Sequence, residues 1–251
     1  MPSTPAMPVF RANRVTHPAG AEVHLHTHHE GQLTLALDGT VRIQDHAGWH
    51  LATPGTAVWV PPRHEHAASY PKVCELIRMH LPAADARALP DHCVLLPLSG
   101  LALELVKRTA WLGIADDRER DLIRELLVVQ LEQYKAGSML SIPDGSDKRV
   151  RSITRYLREH PASSESLAEL AVRVGTSERT LARKFQEDTG LGFRQWRDRM
   201  RVVMAIEHMI QGEPLIAVAL DVGYRSASSF STAFARLMGV PPGEYLKELG
   251  L

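Results

Sequence analysis

Thirteen histidines are many for a chain of 251 residues, and six of them fall in two short stretches: His24, His26, His28 and His29, then His64 and His66. On an extended chain successive side chains alternate faces, so His24, His26 and His28 project together. Neutral imidazole is a metal ligand, and a set of three drawn from both stretches would suit zinc, nickel, iron or copper without selecting among them. The same side chains equally suit a polar pocket that binds a small organic molecule directly. A second reactive group lies in the last hundred residues, where Arg179 and Arg183 share a segment with Leu181 and Phe185. The planar guanidinium fork grips guanine O6 and N7 together, so this is the chemistry of reading bases in a DNA groove.

The elements that must position those arginines come in a repeated pair. Residues 166–171 and 178–185 read as two short helices around Gly175, and residues 216–221 and 226–234 repeat the arrangement around Gly223. Each glycine stands where the chain must leave a helix, a position that favours left-handed backbone. Ser177 and Ser226 are placed to cap the second helices. Leu181 with Phe185, and Phe230 with Phe234, recur four apart and should face a small core. The outward set on the first recognition helix is then Arg179, Ala182 and Arg183, with Ser177 and Thr180 at its entry. On the second it is Ala227, Ser228, Ser231 and Thr232, with Arg225 at the entrance. The first helix is expected to discriminate bases, the second mainly to position the protein on phosphates. Residues 193–210 contain no glycine or proline and carry an apolar stripe that includes Phe193, Trp196, Met200 and Val203. A helix of that length would hold the two readers about one DNA turn apart, roughly 34 Å.

Residues from about 148 to 246 resemble the DNA-binding domain of the AraC/XylS family of bacterial regulators. The resemblance is carried by Gly223-Tyr224, Phe230, Phe234, Gly239-Val240-Pro241-Pro242 and Tyr245. Arg236 stands where a lysine is frequent, and Leu246 where an arginine follows the final tyrosine. The resemblance implies sequence-specific, usually activating control of transcription, with double-stranded DNA and RNA polymerase as partners. Charge agrees with this assignment. Net charge is zero, but residues 148–251 hold 16 Lys/Arg against 12 Asp/Glu, a net of +4, and residues 1–147 hold 13 against 17, a net of −4. The basic part fits phosphate binding with a steep salt dependence.

The histidines sit among short strands broken by turns. Residues 32–37 precede an Asp38-Gly39 turn and residues 41–44 follow it, a strong hairpin signal. Many short strands argue for a small β-barrel or sandwich. The spacing also resembles the two motifs of cupin barrels: Gly20, His26, His28, Gln32 and Gly39 match the first, Gly55, Pro61, Arg63 and His66 the second. Gln32 replaces the usual glutamate, Arg63 a glycine, and Tyr70 a terminal asparagine. That resemblance implies a cupin-like sensor holding one divalent transition-metal ion on His26, His28 and His66, with Gln32 as a weaker fourth ligand. His24, His29 and His64 stay uncommitted between an alternative ligand set, effector contacts and the barrel mouth.

Residues 101–112 and 117–134 read as two helices, with Leu122, Leu126 and Val129 on one stripe. Family members with this layout imply that the segment dimerises. The expected class is thus α+β multidomain: a cupin-like β-barrel over residues 1–95, a helical dimerisation segment over 96–136, a linker over 137–147, and an all-α tandem helix-turn-helix domain over 148–251. Two cysteines, Cys74 and Cys93, in a chain of this size point to a reducing compartment rather than a disulfide scaffold, and neither lies in a C-x-x-C pair that would support a redox switch. The N-terminus does not read as a signal peptide, and no stretch is long enough to span a membrane, so the expected location is the cytoplasm. The expected function is transcription regulation under a small molecule or metal bound in the barrel. Two rivals stand beside it. A cupin metalloenzyme with a DNA-binding tail needs an acid or base, for which only Glu65 and Glu75 are candidates. A constitutive DNA-binding protein would have a barrel filled by its own side chains.

Overall fold

The computed structural model describes residues 10–111, 116–133 and 139–251. The chain divides into two compact units: one holds the residues up to Asp45 with His50–Ser141, the other His46–Trp49 with Ile142–Leu251.

The first unit is built on strands β1 (Arg11–His17), β2 (Ala21–His26), β3 (Gly31–Asp38), β4 (Val41–Gln44), β5 (Gly48–Ala52), β6 (Thr56–Val60), β7 (His66–Tyr70), β8 (Cys74–Leu81) and β9 (Val94–Pro97), followed by helices α1 (Gly100–Trp111) and α2 (Asp117–Glu132). A short strand β10 (Ser141–Pro143) joins the second sheet. The strands form two open five-stranded sheets, ordered β1-β8-β3-β6-β9 and β10-β5-β4-β7-β2. Among the described residues the two sheets do not close into a barrel, so the expected cupin-like sensor barrel is not what they build. Short strands broken by turns are present, as the sequence predicts. Closure, however, requires the end strands of one sheet to bond to those of the other, and here β1, β9 and β2 remain edges.

The Asp38-Gly39 turn shows the same divergence. Gly39 takes φ +70 and donates its N–H to the Asp38 carboxylate at 2.9 Å, as a tight turn requires. The flanking strands do not pair with each other. β3 already bonds β6 on one side and β8 on the other, so β4 crosses to the second sheet and pairs with β7. The turn is a corner between sheets rather than a hairpin.

Helices α1 and α2 cover the first sheet. Ala102, Val106, Ile123, Leu127 and Leu131 are buried in one cluster with Leu33, Leu35, Trp59, Ile77 and Met79. The stripe formed by Leu122, Leu126 and Val129 lies on the other side of α2 and is exposed. The Asp116 side chain caps α2 by accepting the Arg118 N–H.

The second unit is helical: α3 (Lys148–Glu159), α4 (Leu167–Arg173), α5 (Glu178–Thr189), α6 (Phe193–Ile210), α7 (Leu215–Asp221), α8 (Ala227–Met238) and α9 (Pro242–Glu248). Ser166 and Glu169 form a reciprocal capping box on α4. Ser177 and Ser226 cap α5 and α8 as their positions predict. Leu181, Phe185, Phe230 and Phe234 are buried, and Trp196 is core, its indole N–H donating to the Pro143 carbonyl at 2.7 Å. Among the described residues no helix is long and apolar enough to cross a membrane.

Candidate nucleic-acid interface and histidine pocket

Two helix-turn-helix units follow from this packing, α4–α5 and α7–α8. In both, the turn glycine is left-handed, Gly175 at φ +66 and Gly223 at φ +89. With Leu181 and Phe185 facing inward, Arg179, Ala182 and Arg183 lie exposed on the outer face of α5. Ser177 and Thr180 are engaged locally: the Ser177 hydroxyl donates to Thr180 Oγ1 at 2.9 Å and accepts the Thr180 N–H. The Arg183 side chain, 61% exposed, bonds Glu187 at 2.6 Å one turn along, and Lys184 shares that carboxylate at 3.2 Å. On α8, Ser228 and Thr232 are exposed, Ala227 and Ser231 half-buried, and Arg225 is exposed before the helix. Thr232 spends its hydroxyl proton on the Ser228 carbonyl at 3.0 Å. The exposed face of α8 is thus uncharged save for Arg236, which pairs with Asp198 at 2.7 Å.

Not every arginine of this unit faces outward. Arg201 is half-buried and donates to three carbonyls, Pro161 at 3.0 Å, Gly223 at 3.1 Å and Ser163 at 2.8 Å. It welds the turn after α3 to the turn of the second unit. Helical spacing gave no sign of that role, because its partners are backbone atoms of distant turns.

In the first unit, the ladder between β2 and β7 sets His26 directly opposite His66. His28 follows in the turn before β3. Ring centroids are 4.3 Å apart for His26–His66, 5.0 Å for His28–His66 and 6.1 Å for His26–His28. Each Nδ1 faces a backbone carbonyl: His26 that of His24 at 2.8 Å, His28 that of Glu30 at 2.5 Å, His66 that of His64 at 3.0 Å. A carbonyl can only accept, so the proton sits on Nδ1 and the Nε2 lone pair is free to ligate. Burial pushes the His66 imidazole down to about 4 and that of His28 below its ordinary value, which keeps both neutral. His28 Nε2 is buried with no hydrogen-bond partner. Gln32 donates its amide nitrogen to Thr34 Oγ1 at 3.1 Å, which leaves the side-chain oxygen as its donor atom toward a ligand. Sequence spacing missed His80, which the β3–β8 register pairs with Gln32 and whose ring lies 6.1 Å from His28.

His26, Gln32, Thr34, His66, Tyr70 and Arg78 line a cleft of about 30 Å³ between the two sheets. That is room for an ion with a water and far less than a typical organic ligand fills. The imidazole donor set therefore fits a transition metal. Its charge balance is weaker, since Arg78 lines the cleft and none of its described lining residues is a carboxylate.

Residues 170–248 match the helix-turn-helix domain family. Over 227 residues the chain is 30% identical to the HTH-type transcriptional regulator NimR of Escherichia coli, covering 90% of this chain and 82% of that protein. The chain belongs to the AraC/XylS family of transcription regulators. Over 103 residues, 41% of this chain and 34% of the relative, it is also 38% identical to an AraC-like transcription regulator of Streptomyces antibioticus. The DNA-binding domain of AdpA, solved in complex with a target DNA, is 28% identical over 40% of this chain and 90% of that one, with a TM-score of 0.37. Like these AraC-type relatives the chain is a DNA-binding regulator of transcription and not an enzyme.

This AraC/XylS chain also holds a cluster with no counterpart in the spacing of its sequence. Among the described residues, the set of three whose potential ligand atoms all lie within 4.8 Å of one another is Asp45, His64 and Cys93. His64 Nε2 lies 2.8 Å from Asp45 Oδ2, and both Asp45 and Cys93 are buried. Burial, reinforced by the Asp45 carboxylate, pushes the Cys93 thiol far up. Of the three, His64 stood out in the sequence as an uncommitted histidine and Cys93 as one of two cysteines, and nothing joined them to Asp45.

Proposed function

We propose that this regulator reads a specific DNA site chiefly through Arg179, Ala182 and Arg183 of α5. Ser177, Thr180, Arg225, Ala227, Ser228, Ser231 and Thr232 set it on the phosphate backbone. The observation that carries this reading is the asymmetry of the two outward faces, guanidinium-bearing on α5 and made of small neutral groups on α8. Arg183→Ala or Arg179→Ala should cost about 1–3 kcal/mol on the specific site and relax the preference at one base. A selection of bound sequences from a random pool supplies the site, and titration of specific and random duplexes then measures the cost. Equal weakening on both duplexes would turn that arginine into a phosphate contact and refute its role as a reader.

The division of labour we infer assigns residues 96–136 to dimerisation, 137–147 to a linker and 148–251 to DNA. The exposed Leu122, Leu126 and Val129 stripe supports a homodimer formed through α2. Residues 112–115 and 134–136 of the dimerisation segment and 137–138 of the linker lie outside the described residues. The protein works in the cytoplasm as an activator that recruits RNA polymerase. Its signal is a divalent transition-metal ion, alone or with a small chelating molecule, at His26, His28, His66 and Gln32. The three Nε2 atoms freed by backbone-anchored Nδ1 protons support that assignment. Arg78 would meet an anionic group of such a chelator. A ligand switches the regulator only if it binds its two arrangements with different affinity. Metal content by mass spectrometry, wild type beside His26→Ala/His28→Ala, tests the site. An unchanged ion count in the double variant would refute it.

A further inference from the structure

The Asp45, His64 and Cys93 cluster has a chemistry the histidine pocket lacks. A buried divalent ion needs its charge offset, because an uncompensated charge in a low-dielectric interior is costly. Three neutral imidazoles supply no negative charge. A thiolate and a carboxylate supply two, so an ion held by Cys93, Asp45 and neutral His64 forms an electroneutral site. Thiolate is a soft donor, carboxylate a hard one and imidazole lies between. That mixture suits zinc, whereas copper(I) prefers thiolates and thioethers and magnesium or calcium prefer oxygen alone.

A second, independent feature borders this cluster. His50 is only 8% exposed, its Nδ1 is bonded to the Ser141 hydroxyl at 2.8 Å, and its Nε2 is buried with no partner. His50 stands outside the set whose ligand atoms all lie within 4.8 Å of one another, but the charges of Asp45 and His64 act on its ring. An orphaned buried ring nitrogen costs stability unless it finds a partner; in the tautomer that donates the Nδ1 proton to Ser141 Oγ, Nε2 offers a lone pair that a metal ion accepts. The four residues come from the end of β4, from β5, from the turn before β7 and from the entry into β9. Four such donors, with His50 drawn toward the other three, would meet the four-coordinate tetrahedral preference of zinc.

We propose that Asp45, His64 and Cys93 bind one zinc ion at a second site distinct from the His26, His28 and His66 pocket, with His50 drawn in as the fourth ligand. Binding exchanges the Cys93 thiol proton for a sulfur–metal bond, and the proton passes to solvent.

The full-length protein, stripped with a chelator and titrated with cobalt(II) under reducing conditions, tests this by ultraviolet–visible absorption. A thiolate-to-cobalt charge-transfer band with the strong visible bands of a tetrahedral ion is expected in the wild type. It should persist in His26→Ala/His28→Ala and vanish in Cys93→Ser. Asp45→Asn, which preserves volume, should keep the band but weaken affinity by more than the roughly 10–100-fold that loss of an outer-shell partner costs. It stands as the second test where Cys93→Ser does not fold. No charge-transfer band in folded wild type at saturating cobalt would overturn the site. So would a band that survives Cys93→Ser, or wild-type affinity in Asp45→Asn. Loss of the histidine pocket alone leaves the band in place, so the two sites fail separately.

Discussion

The two turn glycines occupy the same position in repeated motifs, yet replacing each with alanine should have very different consequences. At Gly175, φ +66, a Cβ meets nothing within 4 Å. Only the left-handed conformation is then penalised, by about 1–2 kcal/mol, partly offset by roughly 0.4–1 kcal/mol from a stiffer unfolded chain. The net loss is about 1 kcal/mol or less. At Gly223, φ +89, the same Cβ lies 2.8 Å from Ala162 Cα and 2.7 Å from Arg201 Nη2. The backbone contact has no rotamer with which to retreat, and the guanidinium gives way only by abandoning its bonds to Pro161, Ser163 and Gly223. Hydrogen bonds from a charged donor contribute about 1.5–3 kcal/mol each, so losing one or two adds about 2–4 kcal/mol. Gly223→Ala should therefore destabilise the helical unit by about 3–5 kcal/mol, a large share of the 5–15 kcal/mol typical of a domain. Urea unfolding followed by circular dichroism measures both variants, and specific DNA binding should fall with Gly223→Ala at temperatures where Gly175→Ala still binds. In an Arg201→Ala background the Gly223→Ala penalty should shrink, because only the Ala162 contact remains. Equal losses at the two glycines, or a larger loss at Gly175, would refute the reasoning.

Glu187→Gln removes the carboxylate that holds Arg183 and Lys184. DNA binding at low salt should tighten by about 2- to 5-fold, the equivalent of releasing one surface ion pair, and titration against specific duplex decides it; weaker binding would mean that the pair positions Arg183. Leu122→Asp with Leu126→Asp leaves the buried face of α2 intact and should convert dimer to monomer in sedimentation without unfolding the chain; an unchanged mass would remove α2 from the interface. His66 and His50 both sit near 4 when folded against an ordinary 6.5. The unfolded chain therefore binds more protons between those values, and stability present above about pH 6.5 is lost as pH falls toward 4, by up to about 3 kcal/mol for each imidazole. Urea midpoints of chelator-treated protein from about pH 7 down to about pH 4.5 should show this loss, and a flat profile would mean that both rings are solvated.

What the amino-acid sequence determined by itself was local. Ser177 and Ser226 cap because a hydroxyl before a helix meets free N–H groups three residues on. Gly175 and Gly223 turn because only glycine takes left-handed backbone without penalty. Leu181, Phe185, Phe230 and Phe234 fall inward because 3.6-residue periodicity leaves them one face. Alternation alone does not prefigure the pairing of His26 with His66, because the β2–β7 ladder shifts register between Val23 and His26 and leaves His24 out of the cleft. Tertiary structure decided whatever depends on which edge meets which. The strands from 10 to 97 carry the alternation of a barrel, but β3 has both edges occupied, β4 is sent to a second sheet, and no edge closes the circle. Helix α2 carries two apolar stripes, and only packing against the first sheet chose Ile123, Leu127 and Leu131 for the core over Leu122 and Leu126. Asp45, His64 and Cys93 have no spacing to betray them, because their proximity is made by strand ends that come together only once the sheets have formed.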